Sequence, residues 1–265
     1  MIDLAVLEHR SGVLPLVEAF FERGAVDEAV ADPRIGALGL FTPSPEPGFG
    51  AVALSGVPAD GGVFVSGRVR VPSPAADGSI VLVRLPEAEP RLAWLDHGAP
   101  GVLRDGDGPC WVQAEKVAIP DSLVSRPVSL GPGSELVQCL ETYAGVWAVA
   151  AAKIAREGVR ALRRAARTTG FNASQIVAFG ITEVEIEADL ALAAARNPGL
   201  AVAVAAARAL SAVAGKTEEL HGTIGLPVDG PLSGSSGKAL TAYLGGAPLL
   251  ENELARTLGI REEGG

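Results

Sequence analysis

The residues best suited to binding a ligand lie in a polar segment interrupted by glycines, residues 218–226. In it, Glu219, His221, Gly222 and Gly225 follow a long alanine-rich helical sequence. Loops on a rigid scaffold often carry binding groups, and helix N-termini beside them bind anions such as a pyrophosphate. The same spacing also fits a helix that ends at Gly222, with His221 capping a carbonyl. The sequence leaves both interpretations open.

Three arginines lie close together elsewhere in the chain. Arg163, Arg164 and Arg167 are near the end of one predicted helix, and Gln175 is at the start of the next. Such a run of charges is typical of a solvated helix face.

The cysteines and the other histidines do not form a recognisable centre. Cys110 and Cys139 have neither metal-ligand spacing nor a disulfide framework, so we interpret them as unrelated thiols. His9 and His97 are expected at the surface. The sequence therefore predicts no metal site and a reducing, cytoplasmic setting.

Charge and hydropathy exclude two classes of partner. The chain of 265 residues carries a net charge of −9, which argues against nucleic acid and against anionic membrane surfaces. The N-terminal apolar run contains charged residues, so it is not expected to be a signal peptide. Residues 191–214 are strongly apolar, but Arg196, Asn197, Pro198 and Arg208 interrupt them. This pattern favours a buried bundle helix over membrane insertion.

The composition of the chain and the spacing of its apolar residues change twice, which predicts three structural parts. Residues 1–33 show helical spacing that Gly12, Pro15 and Gly24 interrupt, which predicts two short helices. Residues 34–128 are rich in glycine and proline and contain short β-branched runs typical of an antiparallel barrel or sandwich. The runs are 51–54, 62–67, 68–71, 79–85, 91–95 and 111–119.

Residues 129–265 are helical and predict a four-helix bundle. The expected helices are 135–167, 174–196, 200–220 and 249–258, with short connections. The first has an apolar face that includes Leu136, Leu140 and Trp147. The predicted class is α+β: a small antiparallel β domain followed by a C-terminal four-helix bundle, with a truncated helical N-terminus.

Several short motifs occur in a specific order. In the helical part they are Gln175 with Phe179 and Glu183, the Glu-x-His-Gly-x-x-Gly segment 219–225, and Leu244-Gly245-Gly246. In the β part they are Leu40-Phe41-Thr42, Ser66-Gly67-Arg68 with Ser73, and the Val-Ala-Ile-Pro segment 117–120. Over residues 36–259 this order resembles the acyl-CoA dehydrogenase family.

The resemblance implies a flavin site. In that family FAD lies between a β domain and a helix bundle, and a neighbouring subunit completes the site. The matching positions imply cofactor contacts at Thr42, Ser73, Arg167, Gln175, Glu219, His221, Gly222, Gly225 and Gly245. The implied substrate is an acyl thioester. The implied partner is a full-length acyl-CoA dehydrogenase-type subunit or a second copy, joined through the bundle.

The departures from the family concern the catalytic machinery. The N-terminal helical domain is reduced, the family's Arg-x-x-Phe-Gly loop is contracted to residues 167–171, and Glu219 replaces a glutamine. Gly48 stands in place of a serine that contacts the flavin. Leu244 occupies the usual position of the catalytic base, and leucine cannot take a proton. Glu135 and Glu141 lie near an alternative base position but out of register.

Three hypotheses follow from the resemblance. The leading one is a subunit that contributes to a shared FAD site in a mixed oligomer, which α,β-dehydrogenates an acyl thioester without a base from this chain. The second is a non-catalytic binding or scaffold protein that has lost flavin. The third is a self-sufficient flavin dehydrogenase whose base is relocated to Glu135 or Glu141.

Overall fold

The computed structural model describes residues 4–22, 24, 26, 30, 36–41, 54–72, 76–105, 110–197, 199–234, 240–241 and 246–258. The chain forms two compact units, one of residues 1–143 and 252–265 and one of residues 144–251. The predicted boundaries at residues 33 and 128 follow changes of secondary structure and stay predictions.

The N-terminal segment is helical without a break. Helix α1 (Leu4–Glu8) continues through a π-helical turn (His9–Val13) into α2 (Leu14–Phe20). The expected interruption by Gly12 and Pro15 is therefore wrong. Pro15 is the second residue of α2 and directly follows the π-helical turn, so the change of hydrogen-bond pattern in the helix occurs next to the missing N–H. A Cβ at Gly12 would lie 2.8 Å from Leu38 Cδ1, so glycine permits close packing there.

The described residues of the β part form one sheet of eight strands. They are β1 (Gly36–Leu38), β2 (Leu54–Ala59), β3 (Gly62–Val71), β4 (Gly78–Arg84), β5 (Arg91–Asp96), β6 (Val102–Asp105), β7 (Cys110–Pro120) and β8 (Val124–Pro127). The order is β6-β7-β3-β2-β4-β5-β8, and β1 pairs with β4. Most pairs are antiparallel, as expected, but β1 and β2 both run parallel to β4.

Three details of the sheet differ from the expectation. The predicted strand 51–54 lies outside the described residues except for Leu54, and β2 runs from Leu54 to Ala59, where no strand was predicted beyond residue 54. The predicted strands 62–67 and 68–71 form one strand, β3, whose register against β7 shifts between Val65 and Gly67. Gly67 has φ of 137°, and such a backbone angle inside a strand marks an irregularity rather than an end. Strands β1, β6 and β8 have three or four residues each, too short for a period-2 pattern to reveal them.

Four helices whose bounds lie within the described residues follow the sheet: α3 (Glu135–Thr168), α4 (Gln175–Ala194), α5 (Leu200–Ile224) and α6 (Ala247–Thr257). They confirm the predicted α+β class, and their bounds match the predicted spans closely except at the end of α5. By length and composition α5 could cross a membrane, but 56% of its most apolar window is buried, as in a core helix.

Burial confirms the predicted apolar face of α3, because Leu136, Leu140 and Trp147 are all buried. His97, in contrast, is not at the surface. Its Nδ1 lies 2.9 Å from the Ala76 carbonyl oxygen and its Nε2 lies 3.1 Å from Ser79 Oγ. Burial lowers the pKa of His97, so the ring is held neutral. A single histidine followed by a glycine does not indicate in the sequence that its ring is buried and hydrogen-bonded.

Candidate functional site

Helices α3 and α4 run antiparallel and are joined by ion pairs. Arg156 Nη1 lies 3.1 Å from Asp189 Oδ1, and two turns further along α3, Arg163 pairs with Glu185. Residues closer to the C-terminus of α3 are therefore paired with residues closer to the N-terminus of α4. Arg167, one turn beyond Arg163, therefore faces the start of α4, where the sequence offers no acidic side chain.

Arg167 instead borders a cavity of about 290 Å³. The lining residues come from the end of α3, the connecting turn and the first two turns of α4: Arg163, Ala166, Arg167, Asn172, Val177, Ala178, Ile181 and Thr182. Among the described residues, Arg167 has no ion-pair or hydrogen-bond partner for its guanidinium. The Thr182 hydroxyl donates to the Ala178 carbonyl at 2.8 Å, so the side-chain donors that the cavity offers to an anion are the Arg167 guanidinium and the Asn172 amide.

The connection between α3 and α4 also leaves N–H groups available. Gly170 adopts φ of 78°, a short 3₁₀ turn follows at Phe171–Ala173, and Ser174 precedes α4. The Ser174 side chain makes no capping hydrogen bond, and the first helical N–H donated within α4 is that of Ala178, to the Ser174 carbonyl. Among the described residues the N–H groups of the first turn of α4 have no acceptor, and they lie at the positive end of the helix dipole, which favours an anion.

Helix α5 brings the predicted glycine segment to the same end of α4. A Cβ at Gly180 would lie 3.3 Å from Lys216 Cδ, which places these two residues side by side. The helices are antiparallel across a short connection. Five residues before Gly180 is Gln175, and five residues after Lys216 is His221. The register therefore sets His221 level with the N-terminus of α4.

The predicted loop at 219–225 is wrong in its conformation. Helix α5 runs through Gly222 to Ile224, and Gly225, with φ of 67°, ends it. The Gly225 N–H donates to the His221 carbonyl and the Leu226 N–H to the Leu220 carbonyl, so the helix is capped at Gly225 and not at Gly222. A single glycine does not end a helix when the N–H groups of the residues after it can still donate hydrogen bonds to carbonyls of the preceding turn.

Two polar side chains of this segment are already partnered. His221 Nδ1 lies 3.1 Å from the Leu226 carbonyl oxygen. Because a carbonyl only accepts, Nδ1 carries the proton, and Nε2 is the free ring nitrogen. Lys216 Nζ donates to Glu219 Oε2 at 2.7 Å. This pair compensates the carboxylate that replaces the family's glutamine.

Several predicted site residues are not tested. Thr42, Gly48, Ser73, Leu244 and Gly245 lie outside the described residues. Gln175 is exposed at the start of α4 but does not line the cavity. The structure therefore brings Arg167 and the first turn of α4 together and places His221, Glu219 and Gly222 toward the same end. Asn172 joins them, and its position in a short turn gave no signal in the sequence.

The two weak candidates for a catalytic base have structural partners. Glu135 Oε2 accepts a hydrogen bond from Arg126 Nη2 at 2.5 Å. Glu141 Oε1 accepts a long one, 3.4 Å, from Thr257 Oγ1. These contacts favour structural roles, and the relocated base stays a prediction. In the described residues no group of His, Cys, Asp and Glu could hold a metal ion.

A larger cavity of about 730 Å³ lies in the unit that holds the sheet, and it is lined by Phe20, Arg91, Asp121 and Arg126 among others. Its arginines are engaged, because Arg126 binds Glu135 and the Ala19 carbonyl and lies over the Phe20 ring. Arg91 donates to the Ser125 carbonyl at 3.5 Å. We therefore regard the smaller cavity at Arg167 as the better anion site.

A buried carboxyl stands out elsewhere in the described structure. Glu8 is fully buried, and its Oε1 accepts the Leu38 N–H at 3.0 Å, while Oε2 has no hydrogen-bond partner. Burial raises the pKa of Glu8 from 4.5 to about 8 against the opposing effect of the Leu38 hydrogen bond. Glu8 is therefore mostly protonated at neutral pH.

Comparisons with known proteins give a fold and no closer relative. No protein-family model matches the chain, and no curated protein matches it. Among solved structures, a glutaryl-CoA dehydrogenase from Mycobacterium smegmatis in complex with FADH2 has a TM-score of 0.70 and 14% identity, over 97% of this chain and 75% of that chain.

Two further structures agree. The ChsE4–ChsE5 complex from Mycobacterium tuberculosis has a TM-score of 0.63 and 17% identity, over 98% of this chain and 79% of that chain. An acyl-CoA dehydrogenase from Geobacillus kaustophilus has a TM-score of 0.65 and 15% identity, over 96% and 78%. The chain has the acyl-CoA dehydrogenase fold.

Proposed function

We propose that this chain is an acyl-CoA dehydrogenase-like subunit that contributes to a shared FAD site in a mixed oligomer. The oligomer α,β-dehydrogenates an acyl thioester, and this chain does not supply the catalytic base. The observation that carries the proposal is the cavity beside Arg167, which is lined by its guanidinium, by Asn172 and by α4 from Val177 onward, next to the uncapped start of that helix.

The residues present fit the diphosphate of FAD. Arg167 and Asn172 offer side-chain donors, and the first turn of α4 offers backbone N–H groups. The Lys216 pair removes most of the repulsion that Glu219 would exert on a diphosphate. When bound, the flavin accepts a hydride from the substrate. This chain's residues hold and orient its phosphates.

A mixed oligomer explains why an anion site accompanies a missing base. Leucine at position 244 cannot remove a proton, and Glu135 is held by Arg126. The catalytic carboxylate then belongs to the other subunit. One of the matching structures is itself a complex of two chains, ChsE4 and ChsE5. The thioester carrier, coenzyme A in the family, would bind mainly to that other subunit.

A scaffold that has lost flavin is the second candidate. It is favoured by a separate observation: Gly222 lies inside α5, and the side chains of His221 and Glu219 are already bound within the chain. Polar side chains that already form hydrogen bonds within the chain gain less free energy from contacts with a ligand.

Purification from the native host distinguishes the two candidates. Native mass spectrometry should show this chain together with a different subunit, and the flavin absorbance should correspond to one FAD per pair. A stable assembly without flavin would favour the scaffold. A flavin-loaded, active oligomer of this chain alone would contradict both candidates and support a relocated base.

A further inference from the structure

Helix α4 exposes a row of large apolar side chains. Ile176 is 82% exposed, Phe179 66%, Ile186 56% and Leu190 65%. Their spacing of three, seven and four residues places them on one stripe of the helix, which we call the α4 stripe. A different face of α4 is buried within its own unit. A regular apolar stripe of this kind marks a surface for a partner helix.

One charged residue interrupts the α4 stripe at its centre. Glu183 lies seven residues after Ile176 and seven before Leu190, and it is exposed. It has no ion pair and no hydrogen bond to any described side chain. Its neighbours on α4, Glu185 and Asp189, are instead held by arginines of α3. Glu183 is thus a free carboxylate within an apolar surface.

The position of Glu183 disfavours pairing with a second copy. In an antiparallel pair that matches all four apolar residues, Ile176 faces Leu190 of the other copy and the two Glu183 residues meet at the two-fold axis. In a parallel symmetric pair every residue faces its own equivalent, so Glu183 again meets itself. Both arrangements bury two like charges without compensation, which is strongly unfavourable. The net charge of −9 adds to the repulsion.

We propose that the α4 stripe binds a helix of a different subunit, which carries apolar residues at the same spacing and a lysine or arginine opposite Glu183. Such a cation neutralises the carboxylate of Glu183. The same carboxylate that disfavours a pair of identical chains then favours a partner with a cation at this position. The inference rests on the proposed function, since the mixed oligomer is what supplies the second subunit.

The full-length chain can test this without knowledge of the partner. The variant Glu183→Lys carries the same apolar stripe with a cation at its centre, so it serves as the probe. Sedimentation velocity should show monomers for the wild type alone and for Glu183→Lys alone. An equimolar mixture should form a 1:1 pair at least tenfold more tightly than either chain pairs with itself. Adding Phe179→Glu to the wild-type chain should abolish this pair.

Three results would overturn the inference. The first is a wild-type dimer at neutral pH that Phe179→Glu dissociates, because the occupant is then a second copy. The second is a mixture that associates no better than the single chains. The third is a mixed pair that survives Phe179→Glu, which places the contact elsewhere. The flavin content of the native assembly is measured separately, so loss of the proposed function and loss of this inference give different results.

Discussion

The ammonium of Lys216 lies 2.7 Å from a carboxylate oxygen of Glu219, and its aliphatic chain packs beside Gly180 of α4. The first contact compensates a negative charge close to the proposed diphosphate site. The second is close because Gly180 has no side chain: a Cβ there would lie 3.3 Å from Lys216 Cδ. Lys216 thus connects the electrostatics of the site to the packing of α4 against α5.

Removing that lysine should weaken anion binding. Lys216→Met keeps the aliphatic chain but leaves Glu219 uncompensated, so the Kd for ADP, measured by calorimetry, should rise about tenfold, or about 1.4 kcal/mol. Glu219→Gln should change the Kd by less than about threefold, because its charge is already paired. Equal effects of the two substitutions would contradict the compensating role of Lys216.

The two glycines near the end of α5 should respond in opposite ways to alanine. Gly225 has φ of 67°, a left-handed conformation in which a Cβ is strained, so Gly225→Ala should lower the free energy of unfolding by about 1–2 kcal/mol. Gly222 lies within the helix, where a Cβ would meet no atom within 4 Å. Gly222→Ala should therefore raise it by about 0.5–1 kcal/mol. Thermal unfolding of both variants checks the helical conformation of residues 219–224, and a loss of stability in Gly222→Ala would contradict it.

The sequence predicted the helices better than the site because they depend on different information. The spacing of apolar residues along α3 sets which face is buried, and the structure agrees. The end of α5 is decided by which residue can adopt a left-handed backbone, and both Gly222 and Gly225 could do so. The conformation of the C-terminal turn, and with it the capping bond of His221, becomes visible only in three dimensions.

For a similar reason the sequence predicted one residue of the anion cavity, Arg167, but not the arrangement of the residues around it. Arg167 was a candidate because its position resembles the phosphate-binding arginine of the family, but its lack of an ion pair among the described residues depends on how α3 aligns with α4. Arg163 pairs with Glu185, whereas Arg167 borders a cavity that is also lined by apolar residues and Thr182. Asn172 joins the cavity only because the turn after Gly170 is short. Neither relationship is encoded in local spacing.

Glu8 should make the stability of the fold depend on pH. Its pKa is 4.5 in the unfolded chain and about 8 when buried, so between these values the native state holds a proton that the unfolded chain has released. The free energy of unfolding should then fall by about 1.4 kcal/mol per pH unit as pH rises through this window, and level off above it. Below pH 4.5 the carboxyl is protonated in both states and contributes no dependence.

The substitution Glu8→Gln isolates this contribution. The amide oxygen can still accept the Leu38 N–H, but the side chain has no charge to bury. Urea unfolding of both proteins between pH 5 and pH 9 should give curves that diverge as pH rises, with the variant more stable at pH 9. Parallel curves would show that Glu8 does not titrate across this range.

The proposed diphosphate site is tested most directly by the affinity of the chain for ADP, measured by calorimetry, when Arg167 or Arg164 is replaced by methionine. Arg164 lies one turn away on the same helix, is exposed and does not line the cavity, so it is the matched control. Loss of a charged hydrogen bond predicts a Kd that is at least tenfold higher for Arg167→Met and within about twofold of wild type for Arg164→Met. Equal affinity of Arg167→Met and wild type, or equal losses in both variants, would contradict a phosphate site at the start of α4.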